Sequence, residues 1–178
     1  PESVGPSGES TVAAILAARG RTMNLRPKHH RRAFEEIIAL ELVAMGLIDE
    51  FRVRPVSEQR QEYEVNLRAG GSGNWVDLPD VGFGVSQVLP VIVQCFYAPP
   101  GSIIIMEQPE IHLHPSAQAA LADVMIDAIK SREDGNDRNI QLIIETHSEH
   151  FLRRLQRRIA DDTISPDDVS AYFADVTR

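Results

Sequence analysis

Apolar residues recur with the spacing of an α-helix in five segments of the chain. In the second segment they are Phe34, Ile37, Ile38, Leu42 and Met45, and a glycine that can end a helix follows directly. The third and fourth segments have little polar surface, which is typical of helices inside a domain. These patterns predict helices over residues 11–19, 27–45 (with Pro27 at the first position), 86–97, 115–130 and 148–160.

Alternation of apolar and polar residues marks the segments 51–56, 62–67 and 75–78. This alternation has the period of half-buried strands. A glycine-rich turn at residues 70–73 separates the last two segments. We therefore expect a small antiparallel sheet in this part of the chain.

Two later runs, 103–106 and 140–144, are continuously apolar, as expected of strands buried on both faces of a sheet. A last strand is predicted at 169–173. Because these strands alternate with helices, the pattern favours an α/β fold with a mostly parallel sheet flanked by helices. The expected organisation is one domain over residues 1–178, with helices and the antiparallel insertion in 1–80 and the α/β part in 80–178.

Length and composition are those of one globular domain, with 178 residues of which 43% are hydrophobic. No apolar run approaches the roughly 20 residues of a membrane-spanning helix. No signal segment begins the sequence, and Cys95 is the only cysteine, which excludes an internal disulfide framework. These features predict a cytoplasmic protein without a membrane partner.

The net charge of −8 argues against a general polyanion binder, but the basic residues are clustered. Residues 19–32 contain six Lys or Arg side chains and no acidic one. A second cluster has helical spacing and consists of Arg153, Arg154, Arg157 and Arg158. Either cluster is a solvated face or a contact for phosphate or nucleic acid.

The run at 103–106 ends in an acidic residue, Glu107, and the sequence Gln-Pro-Glu follows it. In a parallel sheet this carboxylate would lie at the carboxyl edge, where ligands bind. A carboxylate in this position commonly holds Mg²⁺ through water.

Two further motifs lie on either side of this strand. Residues 82–87, Gly-Phe-Gly-Val-Ser-Gln, directly precede a predicted helix, whose exposed N–H groups suit a phosphate. The second buried strand ends in Glu145, Thr146, His147 and Ser148. The order of the three motifs is more informative than any one of them.

In this order the sequence resembles ABC-type ATPases, which have a P-loop NTPase fold, and especially the overcoming-lysogenization-defect (OLD) and related AAA-labelled ATPases. The resemblance covers about residues 80–175. It implies ATP and Mg²⁺ as cofactors, a homodimer formed through the nucleotide site, and a nuclease or DNA partner. The implied site residues are the metal ligand Glu107, the catalytic group Gln108, Glu110 and His147, and the nucleotide-binding group Gly84, Ser86, Gln87 and His114.

The sequence departs from the usual family pattern at three places. Glu107 stands at the Walker B aspartate, and the signature lacks the usual leucine-serine-glycine-glycine-glutamine spelling. Gln108 stands where most members have the glutamate that polarises the attacking water. Because an amide cannot accept a proton, hydrolysis would be slow, or Glu107 or Glu110 would act as the base.

A Walker A motif, G-x-x-x-x-G-K-[ST], is absent from the sequence. The two lysines, Lys28 and Lys130, do not follow a glycine, and the glycine-rich residues 5–9 form a predicted turn without lysine. We therefore expect the chain to be the C-terminal half of an ABC-type ATPase domain, without the Walker A half and inactive alone.

Two other functions remain open. A nucleotide-responsive clamp that hardly hydrolyses ATP is compatible with Gln108. A metal-dependent hydrolase would use histidines and carboxylates at the ends of the two strands as ligands for Zn²⁺ or a two-metal centre. The candidate ligands are His112, His114, His147, His150, Glu107, Glu110 and Glu145.

The 178-residue chain alone should bind ATP·Mg²⁺ weakly, because no lysine follows a glycine to reach the β- and γ-phosphates. Calorimetric titration of the chain with ATP·Mg²⁺ measures this affinity. A dissociation constant in the low micromolar range would show that the phosphate site has been misassigned.

Overall fold

The structure, a computed structural model, describes residues 1–25, 30–57, 62–68, 74–77 and 82–174. The helices in these ranges are α1 (Thr11–Ala17), α2 (Phe34–Ala44), α3 (Phe83–Tyr97), α4 (Pro115–Lys130) and α5 (Glu149–Ala160). The strands are β1 (Thr22–Asn24), β2 (Arg32–Ala33), β3 (Glu50–Ser57), β4 (Glu62–Arg68), β5 (Val76–Asp77), β6 (Ile103–Glu107), β7 (Arg132–Glu133), β8 (Asn136–Asp137) and β9 (Gln141–Glu145).

All five predicted helices are found, and four of them differ from the predicted bounds by at most three residues, but the predicted start of the second helix is wrong. Helix α3 begins at Phe83, three residues before the predicted start, so Gly84, Ser86 and Gln87 lie inside its first turns. Helix α2 begins only after the short strand β2, and Pro27 lies outside the described residues. Helices α4 and α5 match their predicted bounds to within one residue.

The small antiparallel sheet is also confirmed, as strands β3, β4 and β5 in that order. The glycine-rich residues 70–73 and Leu78 at the predicted end of the third strand lie outside the described residues. The fold is α/β, as predicted.

The prediction of a mostly parallel sheet is wrong. In the described ranges only β6 and β9 pair in parallel, and the sheets β2-β1-β7-β8 and β3-β4-β5 are antiparallel. A parallel pair needs a crossover connection, which helix α4 supplies between β6 and β9. Strands β7 and β8 form a hairpin because Asp134 and Gly135 both have positive φ, at 50° and 83°, as a type I′ turn requires.

Strands β6 and β9 are not buried on both faces, which corrects a second prediction. Their residues alternate between buried and exposed positions, and Ile103, Ile105 and Ile143 are 62%, 71% and 48% exposed. The opposite face packs on the core, since Met106, Leu142 and Ile144 contact it. A continuous apolar run therefore does not show how many faces of a strand are covered.

The predicted last strand at 169–173 is absent. A short 3-10 helix, Pro166–Asp168, is followed by residues 169–174, which form no strand with any of the described residues. Tyr172 and Phe173 are 92% and 87% exposed. An extended, strand-like sequence becomes a strand only when a neighbouring strand accepts its hydrogen bonds.

Helix α3 lies at the centre of the core. Val88, Leu89, Ile92 and Phe96 are at most 1% exposed, and helices α1, α2 and α4 pack against this helix. The turn that precedes α1 approaches α3 at Pro90. A Cβ on Gly8 would lie 2.6 Å from Pro90 Cγ, and the φ of Gly8 is +78°, so glycine suits this contact on both counts.

Arg138, which is fully buried, closes the C-terminal end of α3. Its guanidinium donates hydrogen bonds to the carbonyls of Cys95 (3.2 Å), Phe96 (2.9 Å) and Ala98 (2.5 Å) and to Ser131 Oγ (3.0 Å). Burial and then the positive charge of Arg21 lower the pKa of Arg138 to about 10, which leaves it protonated at neutral pH. The charge satisfies helix-end carbonyls that have no partner within the helix.

Ion pairs hold α5 against α4. Arg158 and Arg154 both bind Asp123, with Nε–Oδ1 and Nη1–Oδ2 distances of 2.7 and 3.2 Å. Arg153 pairs with the exposed Glu149. Two of the four arginines in the second basic cluster therefore serve the packing of this helix.

Described arginines of the first basic cluster, residues 19–32, also form ion pairs with carboxylates of the chain. Arg19 binds Glu35, and Arg21 donates two hydrogen bonds to Glu133. Those hydrogen bonds hold the pKa of the Glu133 carboxyl below its usual range.

Within the described ranges, no helix combines the length and the apolar character that a bilayer crossing demands.

Replacing Arg138 with methionine should lower the free energy of unfolding by about 3 kcal/mol, because several buried carbonyls would lose their donor at once. Denaturant unfolding measures the change. The matched control is Arg153→Met on the exposed face of α5, which should cost less than about 0.5 kcal/mol. Equal losses in the two variants would contradict the role assigned to Arg138.

Candidate functional site

The carboxyl ends of β6 and β9 lie side by side. The two strands pair in register from Ile103 with Gln141 to Glu107 with Glu145. Both glutamates are exposed at the same edge of the pair. The motifs that follow these two strands are thus neighbours in space. Glu110 and Thr146, which belong to them, are 36 positions apart in the sequence.

The loop after β6 begins with a strained turn. Gln108 has a φ of 46°, and its N–H donates to the carbonyl of Glu145 at 2.8 Å. The N–H of Ile111 donates back to the Gln108 carbonyl at 3.0 Å, and His112 has a φ of 65°. Positive φ is uncommon outside glycine, and such residues cluster at functional sites.

Glu110, in the middle of this loop, is 5% exposed and faces inward. Its Oε1 accepts hydrogen bonds from Thr146 Oγ1 at 2.6 Å and from the backbone N–H of His147 at 3.0 Å. The other oxygen, Oε2, is buried without a hydrogen-bond partner among the described residues. One carboxylate thus joins the loop after β6 to the loop after β9.

Gln118 on α4 makes a second bridge between the two loops. Its Nε2 donates to the Leu113 carbonyl at 3.0 Å, and its Oε1 accepts from Ser148 Oγ at 2.7 Å. Ser148 is also the N-cap of α5, where its Oγ accepts from the N–H of Phe151 at 3.0 Å. The start of α5 is therefore tied to the start of α4.

Two of the four candidate histidines, His114 and His147, differ in their surroundings. His147 is exposed, with Nε2 3.6 Å from Glu145 Oε1. His114 is the N-cap of α4, and its Nδ1 accepts from the N–H of Ser116 at 3.3 Å. His114 thus has a local capping contact, whereas the exposed His147 ring lies beside the Glu145 carboxylate at the end of β9.

The N-terminus of α3 lies against the loop after β6. A Cβ on Gly84 would lie 3.6 Å from Leu113 Cδ2, and Leu113 is buried. Ser86 is half-buried and Gln87 is exposed. The N-terminus of α3, where a helix presents backbone N–H groups, thus lies beside the loop that follows β6.

The structure brings together Glu107, Gln108, Glu110 and His147, and it sets Gly84 beside their loop. It does not assemble a metal centre from the candidate ligands, since the described residues contain no group of three or more His, Cys, Asp or Glu side chains that could hold a metal ion. His112 and His150 are exposed on separate elements.

Sequence reasoning missed Gln118 and the bridging role of Thr146 and Ser148. A serine directly before an amphipathic helix is an N-cap signal, and it could have marked Ser148. The bond between Thr146 and Glu110 spans 36 positions in the chain, and no local pattern announces it.

Three solved structures of SMC ATPase heads are similar in fold to this chain. One similar structure comes from work on ATP-driven dimerization and DNA-stimulated activation of SMC ATPases, with a TM-score of 0.50 and 13% identity over 68% of this chain and 71% of that chain. A Smc head bound to the C-terminal winged-helix domain of ScpA has a TM-score of 0.50 and 11% identity, over 68% of this chain and 36% of that chain.

A Smc head with an extended coiled coil, bound to the C-terminal domain of ScpA from Pyrococcus furiosus, also has a TM-score of 0.50, with 12% identity over 68% of this chain and 29% of that chain. This chain thus spans about a third of the length of the last two structures. At these identities the likeness concerns the fold.

No curated protein sequence matches the chain. A family model does: the family described as "AAA domain, putative AbiEii toxin, Type IV TA system" matches residues 24–153, which is most of the chain. That match includes the loops after β6 and β9 and the N-terminus of α3. The chain therefore belongs to this family of AAA ATPase domains, and its fold is that of a P-loop ATPase.

Proposed function

We propose that the chain forms the C-terminal part, residues 1–178, of an ABC-type ATPase domain of the OLD-like group. It would supply the signature segment at residues 84–87, the Walker B strand at residues 103–107 and the switch histidine His147 of an ATP-hydrolysing site. The observation that carries this proposal is the in-register end of β6 and β9, with Glu107 and Glu145 at one edge and His147 Nε2 3.6 Å from Glu145 Oε1. The phosphate-binding loop would come from a Walker A half outside these residues.

Glu107 would be the protein ligand of Mg²⁺ in the proposed site. This cation takes one or two protein carboxylates and completes its octahedron with water and phosphate oxygens. Glu107 offers an exposed carboxylate, and a cage of three or more protein ligands is absent from the described residues. When bound, the cation would neutralise charge on the phosphates, while the chain's own role would be to hold Glu107 at the sheet edge.

Gln108 would orient the attacking water without accepting its proton. The turn at positive φ fixes the backbone of Gln108 beside the end of β9. An amide can donate and accept hydrogen bonds, but it is not a base at neutral pH. The expected result is slow hydrolysis, in which His147 senses the γ-phosphate.

A second copy of the chain would close the site with its own signature segment, which consists of Gly84, Ser86 and Gln87, and with the loop that carries His114. Support comes from the position of Gly84 against Leu113, which puts the segment and the loop on one surface. The similar SMC structure concerns ATP-driven dimerization of those proteins. A homodimer that moves an attached nuclease or a DNA partner would couple nucleotide state to another activity.

A nucleotide-responsive clamp is the second candidate. Gln108 favours it, because a site without a base at this position can remain closed on ATP for long periods. The two candidates share every binding residue and differ only in the rate of hydrolysis.

Changing Gln108 to glutamate should raise single-turnover hydrolysis about tenfold or more, because a general base contributes roughly 10²–10⁴-fold to such reactions. The measurement needs a protein that joins this chain to a Walker A half. Glu107→Gln should instead weaken Mg²⁺-dependent nucleotide binding, and His147→Ala should slow hydrolysis without unfolding the protein.

Glu110→Gln tests whether Glu110 is the general base. If Glu110 were the base, this change would abolish hydrolysis and Gln108→Glu would add nothing. Unchanged rates in both variants would remove the loop after β6 from the catalytic assignment. Gln87→Asn in the signature segment controls for general changes near the site, since it should alter binding and not the proton transfer.

The purified protein should contain no stoichiometric zinc, manganese or iron, because its histidines are dispersed among the described elements. Elemental analysis after dialysis measures the metal content. About one transition metal ion per chain would favour the metal-dependent hydrolase instead.

A further inference from the structure

We propose that Glu110 is a positioning residue, which holds the backbone of His147 over the carboxyl edge of β6 and β9. This inference rests on the proposed function, since His147 matters there as the group that meets the nucleotide. In this inference the buried carboxylate of Glu110 is not the general base. It holds the loop after β9 in place.

The first argument is burial. Glu110 is 5% exposed, whereas Glu107 and Glu145 at the same edge are exposed. A base that takes a proton from water must reach that water within hydrogen-bond distance. The Glu110 carboxylate is instead turned towards the loop after β9, and its accepting oxygen is already occupied by two donors from that loop.

The second argument is the identity of the donors. They are the Thr146 hydroxyl and the His147 N–H, so the carboxylate contacts the residue before the histidine and the histidine itself. The Thr146 Oγ1 also accepts from the N–H of Ser148 at 3.1 Å. Thr146 and His147 thus bind the Glu110 carboxylate directly, and Ser148 is linked to it through the Thr146 hydroxyl. Hydrogen bonds to a charged acceptor are stronger than neutral ones.

The third argument is that further hydrogen bonds connect the loop after β6 to the end of β9 and to the start of α5. Glu110 lies two residues beyond Gln108, whose N–H is bonded to the end of β9. Gln118 adds the contact between Leu113 and Ser148. A displacement of the loop after β6 would therefore move His147 with it, so the water-positioning residue and the phosphate sensor keep a constant separation.

Amide hydrogen exchange of the 178-residue chain, measured by NMR without nucleotide, tests the contact directly. Glu110→Leu keeps a similar shape but has no acceptor, so the His147 amide should exchange about tenfold faster or more, as expected when a charge-assisted hydrogen bond is lost. Glu110→Gln keeps one carbonyl oxygen and should restore most of the protection. Glu149→Gln, which removes an exposed carboxylate two residues further on, should leave the His147 amide unchanged.

Thr146→Val distinguishes positioning from a general loss of structure. It removes only the hydroxyl, so exchange should rise at Ser148, whose N–H loses its acceptor, and remain slow at His147. In every variant the amides of β9 and of buried Leu121 in α4 should keep their protection. Equal acceleration across α4 and β9, or unchanged exchange at His147 in Glu110→Leu, would overturn the proposal.

Turnover gives the second readout, in a protein that joins the chain to a Walker A half. Glu110→Leu should lower kcat at least tenfold and leave the KM for ATP within about twofold, with partial recovery in Glu110→Gln. Faster exchange at His147 together with an unchanged kcat would overturn the positioning role. If the parent protein hydrolyses no ATP, the proposed function fails, and the exchange pattern alone decides whether Glu110 holds the loop.

Discussion

Two parallel strands can be neighbours only if the chain between them crosses from one end of the sheet to the other, and in this protein helix α4 makes that crossing. The crossing brings Glu107 and Glu145 to the same edge. It also puts the loop that leaves β6 beside the loop that leaves β9. The remaining features of the candidate site, including the strained turn at Gln108 and the position of His147, depend on this pairing.

The loops at this edge are held by buried polar groups, which are costly unless they are fully hydrogen-bonded. Glu110 satisfies one carboxylate oxygen with two donors and leaves the other buried without a partner among the described residues. Arg138 is likewise a buried charged group, and it donates hydrogen bonds to carbonyls at the C-terminal end of α3. Both residues orient elements that a purely apolar contact would leave free to slide.

The face of β6 and β9 that carries Ile103, Ile105 and Ile143 is exposed, while the other face completes the core. An uncovered apolar sheet face agrees with the proposal that a Walker A half joins this part of the domain. The two basic clusters do not need a nucleic-acid partner to account for them. Most of their described arginines pair with carboxylates of the same chain. These pairs stabilise helix packing and do not by themselves indicate a nucleic-acid surface.

The sequence by itself determined the helices, the antiparallel sheet of β3 to β5 and the order of the three motifs, because helical spacing, alternation and strand-ending acids are local patterns. The family resemblance that this order carries predicts Glu107, Gln108 and His147 as site residues. The sequence analysis wrongly predicted a mostly parallel sheet and a last strand at residues 169–173. An apolar run does not reveal which strand, if any, pairs with it. Only the tertiary structure decided that Glu110 faces Thr146 and His147, since a contact across 36 positions arises when α4 folds back on the strands.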